Sequence, residues 1–297
     1  MIMQSNPRVP FELSSSRFVP AAPQGKPLIC HIVVNVEYWP FDQPMPRALF
    51  QKPHGVSHGP DIANFCWVEH GLRAGIPRLL RVFGERGLPV SAAMNAQVID
   101  VYPSVAEAVL QAGWEFMGHG LYQRSLEHEE DEVAVIRAAL QKMTKFSGRQ
   151  PRSWLGPGLG ETLDTPDHLA AAGVRYIYEW AIDDLPVRMR TKSDFAYAMP
   201  YALELNDVTI FSLEKHDSHI YYERFKDTVA VLGLEAAQQP RVLTLALHPH
   251  VIAQPHRLAH FCRTLDMLQA RSDTIFMTCD AIGDWYHAAV GGGGAAD

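Results

Sequence analysis

Short apolar runs alternate with amphipathic stretches along most of the chain. Residues 31–39 (HIVVNVEYW) show a period of two. On an extended backbone Val33, Asn35 and Glu37 share one side, while Ile32, Val34 and Val36 share the other. An unpaired carboxylate is costly to bury, so Glu37 at the end of an apolar strand points to chemistry or to a solvent-exposed strand end. Further apolar runs predict strands at 88–96, 114–117, 152–155, 174–180, 208–213, 242–247 and 274–277. Between them the apolar spacing turns helical. Leu72, Ile76, Leu79, Leu80 and Phe83 share one face, and Gly87 with Pro89 ends that stretch. Residues 102–112, 129–146, 165–172, 225–232, 258–270 and 281–287 repeat the pattern, the second with Val133, Ile136, Leu140 and Met143 at core spacing.

Strand followed by helix, many times over, predicts a parallel sheet covered by helices. Polar residues gather after several different strand ends, which is how a barrel builds a site. The expected fold is α/β: a distorted (β/α) barrel of seven or eight parallel strands, forming a single domain over residues 28–290. Residues 1–27 read as an arm laid over the surface or onto a neighbouring subunit, and 291–297 (GGGGAAD) as a disordered tail. Residues 39–71 are rich in proline and glycine and hold His54 and His58, which predicts an irregular loop that covers a site or simply packs.

Composition narrows the functions. The 297 residues are 47% hydrophobic, enough for a substantial core, and carry a formal charge of -7 with no basic block. Nucleic acid is therefore not an expected partner. Cys30, Cys66, Cys262 and Cys279 form no close pair and read as thiols in a reducing compartment. The N-terminal residues lack the pattern of a secretory signal, and no window is long and apolar enough to cross a bilayer. A cytoplasmic protein acting on a small molecule, with no membrane partner, is the expectation.

Glu37, Glu69, His119, Asp183 and His248 are the acid–base candidates. His119 sits between two glycines directly after a strand, where a ligand can come close. His248 holds the same position after 242–247, and it shares a side with His250 if the chain stays extended, as metal ligands can. Trp39, Trp67, Trp154, Trp180 and Phe116 could wall a flat ligand or fill the barrel mouth. The GPGLG run lacks the Lys-Ser/Thr pair of a phosphate loop, and no nucleophile elbow is present.

Four stretches carry a family resemblance: VVNVEYW at 33–39, GIPRLLRVFGERGLPVSAAMNA at 75–96, VYPSVAEAVLQAGWEFMGHG at 101–120, and LALHPHVIAQPHR at 245–257. Through them the chain resembles the polysaccharide deacetylase (NodB-like) superfamily over residues 28–286. Metal-dependent members carry an Asp-rich first motif and two histidines four residues apart. The corresponding positions here are Asn35 and Glu37, then His119 and Gln123. That pattern is similar to the branch of metal-independent allantoinases and cyclic imide hydrolases. The resemblance implies hydrolysis of a C–N amide bond in a small cyclic ureide or imide without a cofactor. Glu37 or His248 would activate water, and His119 would stabilise the oxyanion or leaving nitrogen. Asn35, Trp39, Glu69, Trp154, Trp180 and Asp183 are the expected substrate-binding residues. The alternatives are a Zn or Mn deacetylase of an N-acetylated sugar, using Glu37, His119 and Gln123 or His248, and a catalytically inactive binding module. The resemblance and the arm together imply a homo-oligomer, a dimer or tetramer.

Overall fold

The computed structural model describes residues 4–51, 60–193 and 195–291. Nine strands make one sheet: β1 (Leu28–Val36), β2 (Ser91–Met94), β3 (Glu115–Gly118), β4 (Ser153–Trp154), β5 (Tyr176–Ile177), β6 (Val187–Met189), β7 (Ala196–Ala198), β8 (Arg241–Leu247) and β9 (Thr274–Phe276). Ten helices run between and after them: α1 (Ile62–His70), α2 (Ile76–Arg86), α3 (Val98–Val101), α4 (Pro103–Gln111), α5 (Glu132–Ser147), α6 (Thr165–Ala171), α7 (Ser218–Glu235), α8 (Pro249–Ile252), α9 (Pro255–Gln269) and α10 (Cys279–Gly291).

The strand order is β6-β7-β5-β4-β3-β2-β1-β8, with β9 against the start of β1. All pairs are parallel except β6 with β7. The sheet curls into an incomplete barrel. Its two edges, β6 and β8, share no ladder among the described residues, and a backbone bond from Val242 N to the Asp184 carbonyl spans the seam. Every residue of β1 is buried, because one side faces the barrel interior and the other faces helices. Cys30, Ile32, Val34 and Val36 join the helix-covered layer. Ile29 and Val33 join the interior with Ala93, Met117, Tyr178 and Tyr201.

Strand register is what positions the site. Val36 is level with Met94, Met94 with Gly118, and Gly118 with Trp154. One step further along, Glu37, Asn95, His119 and Leu155 therefore emerge side by side. Val34 is level with Leu247, which brings His248 beside Asn35.

Two expected elements differ. Residues 208–213 are helical rather than extended: a wide turn covers Thr209–Leu213. Asn206 Oδ1 accepts from Val208 N and starts the turn, and the β-branched residues that suggest a strand are buried along its inner side instead. Within 39–71, Ile62–His70 is helix, started by Asp61, whose side chain accepts from Asn64 N. The arm packs on its own barrel. Arg8 pairs with Asp167 at 2.8 Å, Arg17 pairs with Asp183 at 2.6 Å, and Val9 is buried. Residues 52–59, with His54 and His58, and the tail beyond Gly291 lie outside the described residues. The four cysteines are free thiols. No helix among the described residues is long and apolar enough to cross a membrane.

α1 and α2 form one nearly continuous rod, joined by a wide π turn at Gly71–Gly75. The two glycines let this rod touch the backbone at the start of α8. A Cβ at Gly71 would overlap the backbone N of His250, and one at Gly75 would sit 2.5 Å from the Pro249 carbonyl oxygen. Neither neighbour can swing aside. Gly71→Ala should lower the unfolding free energy by about 1–3 kcal/mol, the usual cost of overpacking, whereas Gly84→Ala, with open space around it, should not destabilise. Urea melts of both variants check this.

Candidate functional site

Glu37 follows β1 and is 2% exposed. Its Oε2 accepts from Trp39 Nε1 at 2.8 Å. Its Oε1 lies 3.5 Å from His248 Nε2 and 3.9 Å from His119 Nε2. Burial alone would push this carboxyl up. The His248 ring when it is protonated, the contact with His119 and the Arg47 guanidinium outweigh that and hold it well below the usual carboxylate range. Glu37 is therefore ionised at neutral pH.

His119 is held by its other nitrogen. Its Nδ1 bonds the carbonyl oxygen of Leu155, which can only accept, so Nδ1 carries the proton. In the neutral imidazole Nε2 is then an acceptor, and it has no hydrogen-bond partner. Asn95 Nδ2 donates to the His119 carbonyl and Asn95 Oδ1 accepts from Tyr38 N, clasping the two strand ends. Gly118 lies flat on the Trp154 ring, with no room there for a Cβ. Gly120 turns the chain away at φ +68°.

His248 is held more strongly. Asp207 is fully buried, its Oδ1 is 2.7 Å from His248 Nδ1, and its Oδ2 accepts from His248 N at 2.7 Å. The carboxylate fixes the tautomer, so the Nε2 lone pair faces Glu37 and the cavity. Pro249 starts α8 directly, so the chain does not stay extended. His250 leaves the side of His248 and packs edge-on against Trp67, with ring centroids 4.6 Å apart, and against Trp39. Burial keeps His250 neutral, with its pKa pushed down to about 3.

These groups border a cavity of about 210 Å³. Of the residues expected from sequence, Asn35, Glu37, His119, Gln123 and His248 line it. Trp39 stands behind Glu37 as a hydrogen-bond donor. The others lie elsewhere. Trp154 is buried beneath Gly118. Glu69 pairs with Arg73 at 2.6 Å, one turn along the same rod. Trp180 Nε1 donates to Glu161. Asp183 pairs with Arg17 and faces a wider groove of about 810 Å³ between the arm and residues 181–184. That groove is larger, but no imidazole reaches it. Sequence reasoning missed Asp207, Arg47 and Tyr201. Arg47 and Tyr201 both line the small cavity, and Asp207 lies behind it.

A divalent cation here would meet Glu37 Oε1, the Nε2 atoms of His119 and His248 and the neutral amide oxygen of Gln123, but the carboxylate and the two imidazoles do not all come within 4.8 Å of one another. The Arg47 guanidinium lines the same cavity and opposes a cation. Among the described residues, a group of three acidic, imidazole or thiol donors within 4.8 Å of one another occurs only at Glu115, Cys279 and Asp280, where Arg149 and Arg152 already pair with Asp280. The cavity's donor set does not fit a tightly held metal.

Residues 65–177 match the family model "Polysaccharide deacetylase". That stretch includes His119 and excludes Glu37 and His248. A Schizosaccharomyces pombe protein named "Putative polysaccharide deacetylase" is 25% identical over 248 residues, covering 74% of this chain and 75% of that protein. Two solved structures superpose with TM-score 0.79 at 23% identity, covering 92% of this chain and 95% of theirs. One is a probable polysaccharide deacetylase from Pseudomonas aeruginosa PAO1 and the other is Puue allantoinase. At that identity the likeness establishes the fold.

The depressed Glu37 pKa has a signed consequence for stability. A carboxylate held below its unfolded value of about 4.3 contributes stability that is complete above that pH and is lost as pH falls toward the folded value. In denaturant melts, the stability difference between wild type and Glu37→Gln should move in favour of the variant as pH falls below about 4.3.

Proposed function

We propose that the protein hydrolyses a C–N amide bond in a small cyclic ureide or imide without a metal. The observation that carries this reading is the meeting of Glu37 with His248, backed by Asp207, and with His119 at one cavity. A volume of about 210 Å³ lies below the roughly 300–1,000 Å³ of drug-sized sites, so one small ring suits it better than a polymer strand. The similarity to Puue allantoinase supports the same choice.

His248 is the base. Its Nδ1 proton rests on Asp207, and its Nε2 lone pair takes a proton from water. Glu37 has too low a pKa to be a good base. Its negative oxygen, 3.5 Å from His248 Nε2, orients the attacking water and steadies the imidazolium that forms. After attack His248 returns the proton to the departing nitrogen, as the base of a catalytic triad does. His119 Nε2 has no partner and faces the cavity; in the neutral imidazole it accepts an N–H of the ring, and in the imidazolium it donates to the oxyanion or the leaving nitrogen.

A panel of small ureides, cyclic imides and N-acetylated sugars tests the reading, with ring opening of a ureide or imide expected. Glu37→Gln and Asp207→Asn should each lower kcat by about 10²-fold or more, with circular dichroism unchanged. Near-normal turnover by Glu37→Gln would end this mechanism, and no turnover of any compound would favour a binding module.

A second reading, a Zn²⁺ or Mn²⁺ deacetylase, is favoured by one observation. Both imidazoles hold their Nδ1 protons on acceptors and turn Nε2 inward, as metal-ligating histidines do. Activity that survives complete metal removal rules it out. Activity that is lost on chelation and restored by either ion replaces the metal-free mechanism with it.

A further inference from the structure

Hydrolysis needs a donor at the carbonyl as well as a base for the water. The tetrahedral intermediate carries a full negative charge on the former carbonyl oxygen, and that charge must be met in a site that already contains ionised Glu37. Most cavity groups cannot meet it. Glu37 Oε1, Gln123 Oε1 and, in the neutral imidazole, His119 Nε2 are acceptors, the last two without a partner. Asn35 Nδ2 is occupied by the Leu247 carbonyl at 3.2 Å.

The Tyr201 hydroxyl and the Gln123 amide can donate but carry no charge; Arg47 is the one permanent cation of the lining. It stands in the loop after β1 and lines the cavity together with Glu37 and His248. Its Nη1 is buried with no hydrogen-bond partner, and no ion pair engages its guanidinium among the described residues. An unpaired cationic donor at a buried position is costly unless a ligand supplies the missing acceptor. Two arginines of the N-terminal arm are, by contrast, engaged: Arg8 with Asp167 and Arg17 with Asp183.

We propose that Arg47 is a catalytic residue that polarises the scissile carbonyl, carries the oxyanion and then holds the product carboxylate. The inference rests on the hydrolase reading above. Water oxygen forms a bond to the carbonyl carbon, and its proton passes to His248 Nε2. The carbonyl π pair becomes a lone pair on the oxygen beside Arg47. The C–N bond then breaks as the C=O re-forms, nitrogen takes the proton from His248, and the new carboxylic acid ionises to solvent. No oxidant or co-reactant is required. A guanidinium stays charged throughout, so Arg47 acts by hydrogen bonding and charge, never by releasing a proton. Its planar fork matches a carboxylate in two places, which an ammonium cannot do.

Arg47→Gln, Arg47→Lys and Arg47→Ala test this. The side chain makes no internal hydrogen bond, so all three should fold with the wild-type circular dichroism spectrum; Arg47→Gln and Arg47→Ala, which remove a charge that helps hold Glu37 ionised, should melt somewhat lower. With a ring substrate from the panel, Arg47→Gln should lose about 10²–10³-fold in kcat with KM changed far less. Arg47→Lys should fall between, and added guanidinium should restore part of the Arg47→Ala rate. Unchanged kcat in Arg47→Gln overturns the proposal and leaves the hydrolase standing. A binding arm needs no turnover. N-carbamoylglycine and succinamate, the ring-opened products of hydantoin and succinimide, are titrated calorimetrically into wild type and Arg47→Gln. Tenfold or greater weakening of both anions, with hydantoin affinity unchanged, supports an Arg47 anion site even if no panel compound is hydrolysed. Equal affinity of the two proteins for both anions overturns it.

Discussion

A negative charge buried at the end of the first strand governs the arrangement around it. Glu37 is 2% exposed and ionised, so the fold must surround it with groups that answer that charge. Trp39 donates one hydrogen bond, and two imidazoles face the other oxygen. Each of those groups is fixed in turn. Asp207 and the Leu155 carbonyl hold the histidines, and His250 fills the space against Trp39 and Trp67. Carboxylates of this kind persist where strain and cost serve a purpose, because a hydrophobic residue of similar volume would pack there more cheaply.

The site divides its labour by polarity. Unpartnered side-chain atoms of His119 and Gln123 line the cavity beside the Asp207-backed imidazole of His248, and the Arg47 guanidinium lines it with them. The parallel sheet explains why such different groups can meet: β1, β3 and β8 all run toward the same rim, and their ends bring Asn35, Glu37, His119 and His248 together. Tyr201 from the barrel interior and Gly156 and Gly158 after β4 complete the lining of the small cavity.

Much of this was legible in the sequence wherever chemistry coincides with a period. The two-residue alternation of 31–37 placed Asn35 and Glu37 on the inner face, and the apolar runs before His119 and His248 put both at strand ends. Asp207 left no such mark. It lies between a cap residue and a helical turn that reads as a strand, and its partner is 41 residues away. Arg47 sits in a proline-rich loop without period, where an arginine looks like any solvated charge. Conversely, Trp154, Trp180 and Asp183 follow strands as site residues do, but local geometry turns them elsewhere. Trp154 fills the space a glycine leaves, Trp180 reaches Glu161, and Asp183 is taken by the arm. A helix of nine residues at Ile62–His70 was hidden by the prolines that precede it.

The wide turn between α1 and α2 sets an angular phase. An α-helix advances about 100° per residue, so the extra residue accommodated at Gly71–Gly75 decides which way everything before it points. In this phase Trp67 donates its indole N–H to the His250 carbonyl and covers that ring. A homologue shortened by one residue there would regain an ordinary helix and rotate Trp67 off the histidine, uncovering the wall behind Glu37. Length variation in this lineage should therefore accumulate in the flanking loops and spare the rod.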